Sequence, residues 1–289
     1  MAAICYLNGT FMPVDEARIS PLDRGFIFGD GIYEVIPAYG GKLFRLDEHL
    51  QRLADNLAAV KIRQPLTTER WQQVLNEIVM RNQPVHGDEQ SIYLQVTRGV
   101  AARDHGFPEQ SITPTLFVMS TPLTALPEVT AKEGVAAITC EDIRWKQCHI
   151  KSISLLGNIL LRQQAYDENA VEAILIREGE VTEGAASNLF AVIDGRLVTP
   201  PKGPLLLPGI TRDLILELAQ QHAIPACEAL ITPSQLRDAK EIWLTSSTKE
   251  ILPVTTLDGH AVGDGKPGKI WHQMNQHYQA YKQQLRVTP

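Results

Sequence analysis

The stretch IKSISLLGNILL (residues 150–161) places one lysine, Lys151, at the head of an apolar run that looks like core. The run predicts a helix from about Ser154 to Tyr166. Strand-like segments precede and follow it, VAAITCEDIRW (135–145) and EAILIRE (172–178). Strands that alternate with helices indicate a mixed α and β fold in this half of the chain. A lysine at such a position ordinarily snorkels, with its stem buried and its charge in water, so the rest of the sequence decides whether Lys151 has another role.

The second half of the chain continues this alternation. Further strands are predicted at SNLFAVI (187–193), RLVTP (196–200), EIWLTSS (241–247) and ILPVTTLDGHAV (251–262). Helices are predicted at 210–224 with Thr211 as the cap, at 232–239 with Thr232 as the cap and Pro233 at the first position, and from about Pro267 onward. Asp194-Gly195 predicts a turn between two of the strands.

The first half is rich in strands. Asn8-Gly9 and Gly40-Gly41 predict hairpins at YLNGTFMP (6–13) and GIYEVIPAYGGKLFRL (31–46). Strands are also predicted at 90–100 and 114–120, together with a helix capped by Asp47 and a helix near 68–82. TPLTALPE (121–128) contains two prolines and little periodicity, which is typical of a linker. We therefore expect a small N-terminal α/β domain (1–120), this linker, and a larger C-terminal domain (129–289).

The composition argues against several classes of protein. The chain has 289 residues, 44% hydrophobic and 21% charged, which is typical of a globular protein with a substantial core. Its net charge of −6 argues against nucleic acid and anionic membrane surfaces as partners. The four cysteines show no C-x-x-C spacing, so we expect neither a zinc ribbon or other metal site nor a disulfide framework, and we expect a reducing, cytoplasmic compartment. The N-terminus lacks the pattern of a signal peptide, and no apolar run approaches the length of a membrane span.

Four polar features in the second half indicate chemistry. They are Lys151 at a strand-to-helix junction, Glu183 in TEGAASN (182–188), the helix start PGITRD (208–213) and the hydroxyl cluster TSST (245–248). A helix N-terminus with hydroxyl groups and Gly209 suits a phosphate, although the chain has no P-loop and no G-x-G-x-x-G motif. A lysine for a Schiff base, an acid for a ring nitrogen and a phosphate site together favour pyridoxal 5′-phosphate. Each feature alone is ordinary, so these residues by themselves leave the ligand open.

Six motifs together resemble those of one family. In chain order they are DRGFIFGDGIYEVI (23–36), DEHLQRL (47–53), IKSISLLGN (150–158), TEGAASNLF (182–190), GITRD (209–213) and LTSSTKEI (244–251). They are similar to the motifs of the class IV pyridoxal-phosphate aminotransferases, occur in that family's order and cover nearly the whole chain. Within the class, the chain most resembles the D-amino-acid aminotransferases. The resemblance implies a mixed α/β (α+β) chain with the two-domain fold type IV, pyridoxal 5′-phosphate held between the domains, and a homodimer.

The resemblance also implies roles for individual residues. Lys151 would form the Schiff base and carry the proton, Glu183 would pair with the pyridine nitrogen, and Leu207 would pack on the ring. The phosphate would be held, partly through backbone N–H groups, by Arg52, Ile210, Thr211 and Ser247. Structural alternatives are that Arg52 pairs with Glu48 one helical turn earlier, that Glu183 is a solvated strand-edge residue, and that Ser247 is an ordinary turn hydroxyl.

The stretch TRGVAARDHGFP (97–108) separates the subfamilies. The D-amino-acid aminotransferases carry Arg-x-His here, and this chain has Arg103 and His105. The resemblance implies that these two residues, supplied by the neighbouring subunit, clamp the substrate α-carboxylate together with Tyr33. A guanidinium fork with two further donors suits a carboxylate, and the alternative is an exposed loop with an incidental basic pair. The branched-chain enzymes typically have tyrosine where this chain has Leu156, and the aminodeoxychorismate lyases have a different loop.

The implied reaction is transamination between a D-amino acid such as D-alanine and a 2-oxo acid such as 2-oxoglutarate, which gives pyruvate and D-glutamate. The alternatives are a branched-chain L-amino-acid aminotransferase, an aminodeoxychorismate lyase, and a protein that binds the cofactor without turnover. The preferred amino donor and acceptor stay open. Ser154 stands where related D-alanine enzymes carry asparagine, which leaves the side-chain preference open as well.

Overall fold

The structure is a computed structural model that describes residues 2–108 and 111–287. Within these residues the chain forms two compact units. Their bounds are Met1–Thr124, Ile150–Ser154 and Gln284–Pro289 for the first unit, and Ala125–His149 and Leu155–Gln283 for the second. The linker predicted at 121–128, and the domain boundaries that it sets, stay predictions. Among the described residues, no helix combines the length and the apolar character that crossing a membrane requires.

The first unit is built on an antiparallel sheet. Its strands are β1 (Ile4–Leu7), β2 (Thr10–Pro13), β3 (Gly31–Tyr39), β4 (Lys42–Leu43), β5 (Gln90–Thr97) and β6 (Thr115–Pro122). Their order across the sheet is β2-β1-β6-β5-β3-β4, and each neighbouring pair is antiparallel. The turns predicted at Asn8-Gly9 and Gly40-Gly41 are confirmed, and their glycines have the positive φ angles that only glycine adopts freely.

Helices cover the core face of this sheet. They are α2 (Leu46–Ala59) and α3 (Thr68–His86), and the short helix α1 (Arg24–Phe28) precedes β3. α2 and α3 bury their apolar stripes against the sheet in one hydrophobic core. The sequence predicted Asp47 as the cap of α2, but this was wrong: the N-cap is Arg45, in a left-handed conformation with φ 49°. Asp47 lies instead in the first turn, where the helix dipole favours a carboxylate.

The segment Ile150–Ser154 runs beside β3. The N–H of Tyr33 donates to the carbonyl of Lys151 at 3.0 Å, and the N–H of Ile153 donates to the carbonyl of Gly31 at 3.1 Å. The beginning of the segment packs against the core of the first unit. Lys151 therefore lies on an extended segment that pairs with β3, in the connection between a strand that ends at Glu141 and a helix that begins at Leu156. Its predicted place between a strand and a helix is confirmed.

The second unit is built on a larger mixed sheet. Its strands are β7 (Val135–Glu141), β8 (Glu172–Arg177), β9 (Glu180–Gly184), β10 (Asn188–Ile193), β11 (Arg196–Thr199), β12 (Ala226–Glu228), β13 (Glu241–Ser246), β14 (Glu250–Leu257) and β15 (His260–Ala261). Their order is β12-β11-β10-β13-β14-β7-β8-β9, with β15 paired to β14. β7 is parallel to β8 and to β14, so the predicted mixture of α and β structure is confirmed. Strand β9, which carries Glu183, was not predicted.

The helices of the second unit differ in how much they bury. They are α4 (Glu128–Glu133), α5 (Leu156–Asp167), α6 (Ile210–Gln221), α7 (Pro233–Arg237) and most of α8 (Lys269–Val287). α5 buries Leu161 and Ala165. Leu156, Ile159 and Leu160 are 69%, 60% and 54% exposed. The apolar run after Lys151 is therefore in large part an exposed helix face of this chain, and its interpretation as core was wrong.

Two helix starts in this unit test the predicted caps. Thr232 caps α7 in a capping box with Pro233 at the first position, as predicted. α6 begins at Ile210 with Gly209 as its N-cap, so Thr211 is the second residue of the helix and its prediction as the cap was wrong. The start of α6 therefore has no side-chain cap.

Candidate active site

Lys151 lies beside the ring of Tyr33 in the first unit. Its Nζ is 4.1 Å from the ring centroid, which is a cation–π distance for an ammonium group. The two residues share one backbone pairing, because Tyr33 donates its N–H to the carbonyl of Lys151. The side chain of Lys151 is half-buried. The structure thus brings the predicted Schiff-base lysine next to one predicted substrate-binding residue.

Glu34 places a buried charge on the core face of β3. Side chains alternate along a strand, so Glu34 lies on the face opposite to Tyr33. Its carboxylate accepts two hydrogen bonds from Arg52, each at 2.7 Å, and its Oε2 lies 2.8 Å from Nδ1 of His49. Burial alone would raise the pKa of Glu34, but Arg52 and His49 hold that pKa far below its usual range. Glu34 is therefore ionised near neutral pH and fixes the orientation of the Arg52 guanidinium.

His49 lies on α2 one turn before Arg52. Burial lowers the pKa of His49, Glu34 opposes this shift, and the positive charges of Arg52 and Lys151 lower the pKa further. The imidazole is therefore neutral at pH 7. The sequence offered Glu48 as a partner for Arg52, and the structure pairs the Arg52 guanidinium with Glu34. Arg52, His49 and Lys151 thus belong to one electrostatic cluster of the first unit.

Arg103 and His105 lie on an irregular segment after β5. Both side chains are exposed and lie beside Phe28 at the end of α1. The His105 ring centroid is 5.4 Å from that of Phe28, and the guanidinium carbon of Arg103 is 5.4 Å from the same ring. The structure therefore brings together the two predicted carboxylate ligands, in the same unit as Tyr33.

Glu183 lies at the centre of a buried polar cluster in the second unit. It is 4% exposed on β9. Its Oε1 accepts from Nη1 of Arg144 at 2.6 Å, and its Oε2 accepts from Nδ2 of Asn188 at 3.1 Å and from the N–H of Leu207 at 3.0 Å. Burial raises the pKa of Glu183 to about 7, although Arg144 acts to lower it. Glu183 is therefore not the solvated side chain that the sequence left as an alternative.

Arg144 connects Glu183 to a second carboxylate. Its Nε and Nη2 donate to the two oxygens of Asp142 at 2.9 and 3.0 Å, and Nη2 of Arg177 lies 3.0 Å from the same carboxylate. Burial alone would raise the pKa of Asp142, but the two guanidinium groups hold it below its usual value. Two acids and two bases make the cluster close to neutral, which is the condition under which charged groups are tolerated in a protein interior.

Asn188 connects this cluster to the start of α6. Its Nδ2 donates to the carbonyl of Leu207 at 2.8 Å, and its Oδ1 lies so close to Gly209 that a Cβ at this position would be 1.9 Å away. The first turn of α6 holds Ile210 and Thr211, and its N–H groups have no side-chain cap. Such N–H groups, together with the helix dipole, favour an anion.

Ser247 lies in the turn between β13 and β14. The strand before this turn pairs with β10, and the register places Thr245 opposite Asn188. Ser247 therefore follows the cross-strand partner of Asn188 by two residues, and its side chain is partly buried. In the second unit, Glu183 and Leu207 bind Asn188 directly. Ile210, Thr211 and Ser247 lie within two residues of Gly209 or Thr245, which adjoin Asn188.

Sequence reasoning missed several polar residues of these clusters. They are Glu34, His49, Asp142, Arg144 and Asn188. For Glu34 a signal was available, because it stands at an inward position of a strand between Ile32 and Ile36, where a carboxylate requires a buried partner. The partners themselves gave no signal, since they come from other elements of the chain.

The family model described as amino-transferase class IV matches residues 31–257. This range includes Tyr33, Lys151 and Glu183 and covers more than half of the sequence. The chain belongs to the class IV aminotransferases. Class IV aminotransferases use pyridoxal 5′-phosphate, so the cofactor predicted from the sequence is confirmed.

Relatives named D-alanine aminotransferase match nearly the whole of this class IV chain. The D-alanine aminotransferase of Staphylococcus epidermidis is 40% identical over 278 residues, which are 96% of this chain and 97% of that protein. The D-alanine aminotransferase of Bacillus licheniformis is 41% identical over 263 residues, which are 91% of each chain.

Solved structures of class IV aminotransferases have the same fold. The branched-chain amino acid aminotransferase of Escherichia coli matches with a TM-score of 0.91 at 25% identity, over 97% of this chain and 94% of that chain. The branched-chain aminotransferase of the archaeon Thermoproteus uzoniensis, with norvaline, matches with a TM-score of 0.87 at 25% identity, over 99% and 97%. The predicted fold type IV is confirmed.

Proposed function

We propose that the chain is a D-amino-acid aminotransferase, which moves the amino group of a D-amino acid such as D-alanine to a 2-oxo acid such as 2-oxoglutarate. The products are then pyruvate and D-glutamate. Support comes from the 40% identity to a D-alanine aminotransferase over 96% of the chain. The structural observation that carries the proposal is a buried carboxylate, Glu183, held beside the uncapped start of α6. These two features suit the ring nitrogen and the phosphate of one cofactor.

The residues around the start of α6 fit the phosphate group. The N–H groups of Ile210 and Thr211 and the hydroxyl of Ser247 would donate to it. A Cβ at position 209 would collide with Oδ1 of Asn188. Because Gly209 has no side chain, the N–H groups at the start of α6 stay uncovered. Arg52 would add a guanidinium whose orientation is already fixed by a carboxylate. A phosphate with two negative charges would thus meet oriented donors and one full positive charge.

The residues proposed to act on the ring and the amino group have separate tasks. When bound, pyridoxal 5′-phosphate supplies an aldehyde that takes up the amino group and a ring that accepts the electron pair of the broken Cα–H bond. Glu183 would hold a proton at the ring nitrogen, with Arg144 fixing the carboxylate, and Leu207 would pack on the ring. Lys151 would bind the cofactor through Nζ, take the proton from the substrate Cα, and return it to the adjacent cofactor carbon.

The handedness of the substrate is proposed to depend on where its carboxylate is bound. Tyr33, together with Arg103 and His105 of the neighbouring subunit, would bind the α-carboxylate on one side of the cofactor. Lys151 would reach only one face of the ring. With the carboxylate bound by these three residues, a D-amino acid would present its Cα–H to Nζ of Lys151. The two branched-chain enzymes share the fold at 25% identity, but a shared fold does not set the substrate.

Spectra of the half-reactions test this function. Addition of D-alanine to the cofactor-loaded enzyme, without an acceptor, should convert the absorbance band of the cofactor at least about tenfold faster than addition of L-leucine or L-glutamate. A band that D-alanine leaves unchanged would indicate a protein that binds the cofactor without turnover. Faster conversion by L-leucine would indicate a branched-chain aminotransferase.

The proposal includes a cytoplasmic homodimer with a small N-terminal and a larger C-terminal domain. The exposed apolar side chains of Leu156, Ile159 and Leu160 on α5 are of the kind that a subunit contact covers. The cysteines are free thiols, which fits a reducing compartment. Sedimentation should give about twice the chain mass of 32.1 kDa.

A further inference from the structure

The segment 101–108, called the substrate loop from this point on, carries Arg103 and His105. None of its residues lies in a helix or strand. One hydrogen bond holds the loop from within, from the N–H of Gly106 to Oδ1 of Asp104 at 2.8 Å, and side chains outside the loop supply further contacts. Those side chains come from α1, from the residue that precedes β3 and from the residue that follows β5 in the first unit.

Arg24 binds the backbone of the substrate loop at two points. This side chain is 4% exposed, and its Nη1 donates to the carbonyl of Asp104 at 2.7 Å and to the carbonyl of Gly106 at 3.2 Å. The two carbonyls flank His105, and Asp104 directly follows Arg103. Arg24 therefore fixes the backbone on both sides of His105 and next to Arg103.

Phe28, one turn after Arg24 on α1, contacts the side chains of the same loop. Its ring centroid is 5.4 Å from the ring of His105 and 5.4 Å from the guanidinium carbon of Arg103. The guanidinium carbon of Arg24 lies 4.9 Å from the same centroid. One aromatic ring thus sets the separation of the two proposed carboxylate ligands, while Arg24 sets their backbone.

Asp30 anchors this arrangement to the rest of the unit. It accepts from Nε of Arg24 at 2.8 Å and from two nitrogens of Arg98 at 2.7 and 3.0 Å. Burial alone would raise the pKa of Asp30, but the two guanidinium groups hold it below its usual value. Arg98 also donates to two carbonyls just after α2 and lies 3.9 Å from the ring of Phe107 in the substrate loop. The loop is therefore supported in its middle by Arg24 and near its C-terminal end by Arg98.

We propose that Arg24 and Phe28 are positioning residues for the substrate carboxylate, because they hold Arg103 and His105 at a fixed separation before substrate arrives. The inference rests on the proposed function, in which these two residues bind the α-carboxylate. An unsupported loop would have to lose conformational entropy when it binds substrate, and a loop held in place has lost it beforehand. Removal of the support should therefore weaken the binding of substrates that carry a carboxylate and leave the chemistry at the cofactor unchanged.

The substitution Arg24→Met tests this proposal in the cofactor-loaded enzyme. We expect KM for D-alanine to rise about tenfold or more, while kcat changes by less than about threefold. Bleaching of the cofactor band by hydroxylamine, an amine without a carboxylate, should keep the wild-type rate. Tryptic cleavage after Arg103 should be about tenfold faster, because the loop opens more often without its backbone anchor. Arg24→Lys should recover part of the loss in KM.

Arg81→Met is the matched control, because the guanidinium carbon of Arg81 also lies over a phenylalanine ring, 4.6 Å from the centroid of Phe11. This substitution should leave KM, kcat, the hydroxylamine rate and the rate of tryptic cleavage unchanged. An unchanged KM for D-alanine in Arg24→Met would overturn the inference, and so would an equal loss of reactivity with D-alanine and hydroxylamine. If Arg24→Met does not fold, Phe28→Leu should raise KM about threefold, and an unchanged KM there would overturn the inference. Wild-type enzyme that fails to react with D-alanine would overturn the proposed function, and this inference with it.

Discussion

At the scale of single residues, the amine of Lys151 is held on a segment that β3 fixes through backbone hydrogen bonds. Its Nζ lies 4.1 Å from the ring of Tyr33. In the proposed function Lys151 releases the cofactor and then moves a proton, so its amine would have to return to the same place in every cycle. The pairing with β3 gives the backbone of Lys151 a fixed position for this task.

The substitution Lys151→Ala should abolish transamination and leave the fold intact. The side chain is half-buried, and no residue in the described part of the chain forms an ion pair with it, so we expect the free energy of unfolding to change by less than about 1 kcal/mol. Turnover of D-alanine and thermal unfolding measure the two effects. Lys146→Ala is the control, because Lys146 forms an exposed ion pair with Glu178 and should change turnover by less than about twofold. Full turnover by Lys151→Ala would rule out its assignment.

The substitution Glu183→Gln should leave the cofactor bound and lower kcat by about 10- to 100-fold. The neutral amide cannot favour a protonated ring nitrogen as a carboxylate does, and hydrogen bonds to charged groups are worth about 1.5–3 kcal/mol. Steady-state kinetics and the absorbance of the bound cofactor measure the two properties separately. Glu180→Gln, on the same strand β9, is the control. A kcat within about twofold of wild type would mean that Glu183 does not contact the ring nitrogen.

At the scale of elements, the start of α6 and strand β10 meet at Gly209 and Asn188. A Cβ at position 209 would lie 1.9 Å from Oδ1 of Asn188, so Gly209→Ala should displace the amide that binds Glu183 and the Leu207 carbonyl. With about 0.5–1.5 kcal/mol per hydrogen bond, we expect the Kd for pyridoxal 5′-phosphate to rise about tenfold in titrations of the apoprotein. Gly203→Ala is the control, because a Cβ there meets open space. Equal affinity of the two variants would contradict the role given to Asn188.

Glu34 on β3 binds His49 and Arg52 on α2, and this contact should make the stability of the first unit sensitive to acid. The pKa of Glu34 is lowered from 4.5, so its ionised form stabilises the folded state above that value, and this stabilisation is lost as the pH falls below it. The pKa of His49 is lowered from 6.5, and protonation of the unfolded chain below that pH also reduces stability. Both groups therefore act in the same direction.

The substitution Glu34→Gln should destabilise the apoprotein by about 3–5 kcal/mol at pH 7, because it leaves the Arg52 guanidinium buried without its carboxylate. The difference from wild type should shrink as the pH falls below 4.5, where the unfolded wild-type chain gains a proton at this group. Urea unfolding at pH 7 and near pH 4 measures both quantities. Glu77→Gln, which removes an exposed pair with Arg81, is the control and should cost less than about 1 kcal/mol. A difference independent of pH would contradict the depressed pKa.

Elements with strong local signals could be predicted from the sequence, and elements that depend on distant partners could not. The turns at Asn8-Gly9 and Asp194-Gly195 and the capping box at Thr232 each need only neighbouring residues. Strand β9 (Glu180–Gly184) contains two glutamates, a threonine and one valine, so its apolar pattern is weak. Its buried state depends on pairing with β8 and on the charges that compensate Glu183, and these lie outside the segment.

At the scale of the whole molecule, the order of the motifs predicted the family, the cofactor and the candidate residues. Their electrostatic partners could not be predicted: Arg144 is 39 residues from Glu183, and Arg52 is 18 residues from Glu34. In the run after Lys151, the buried and the exposed side chains are both apolar, so the sequence could not tell the core positions from the surface positions. Leu156 belongs to that exposed face and is the kind of residue that a second subunit covers.

The handedness of the substrate depends on the whole molecule, since it requires the cofactor, the lysine and the carboxylate ligands in one arrangement. The most direct measurement is kcat/KM for D-alanine and for L-leucine, in the wild-type enzyme and in Arg103→Ala. We predict a wild-type preference for D-alanine of about 100-fold or more. Arg103→Ala should lower kcat/KM for D-alanine by the equivalent of about 2–4 kcal/mol of transition-state stabilisation. His105→Ala should lower kcat/KM less, because the guanidinium of Arg103 remains. A wild-type enzyme that converted L-leucine faster than D-alanine would contradict the proposed carboxylate site and the function built on it.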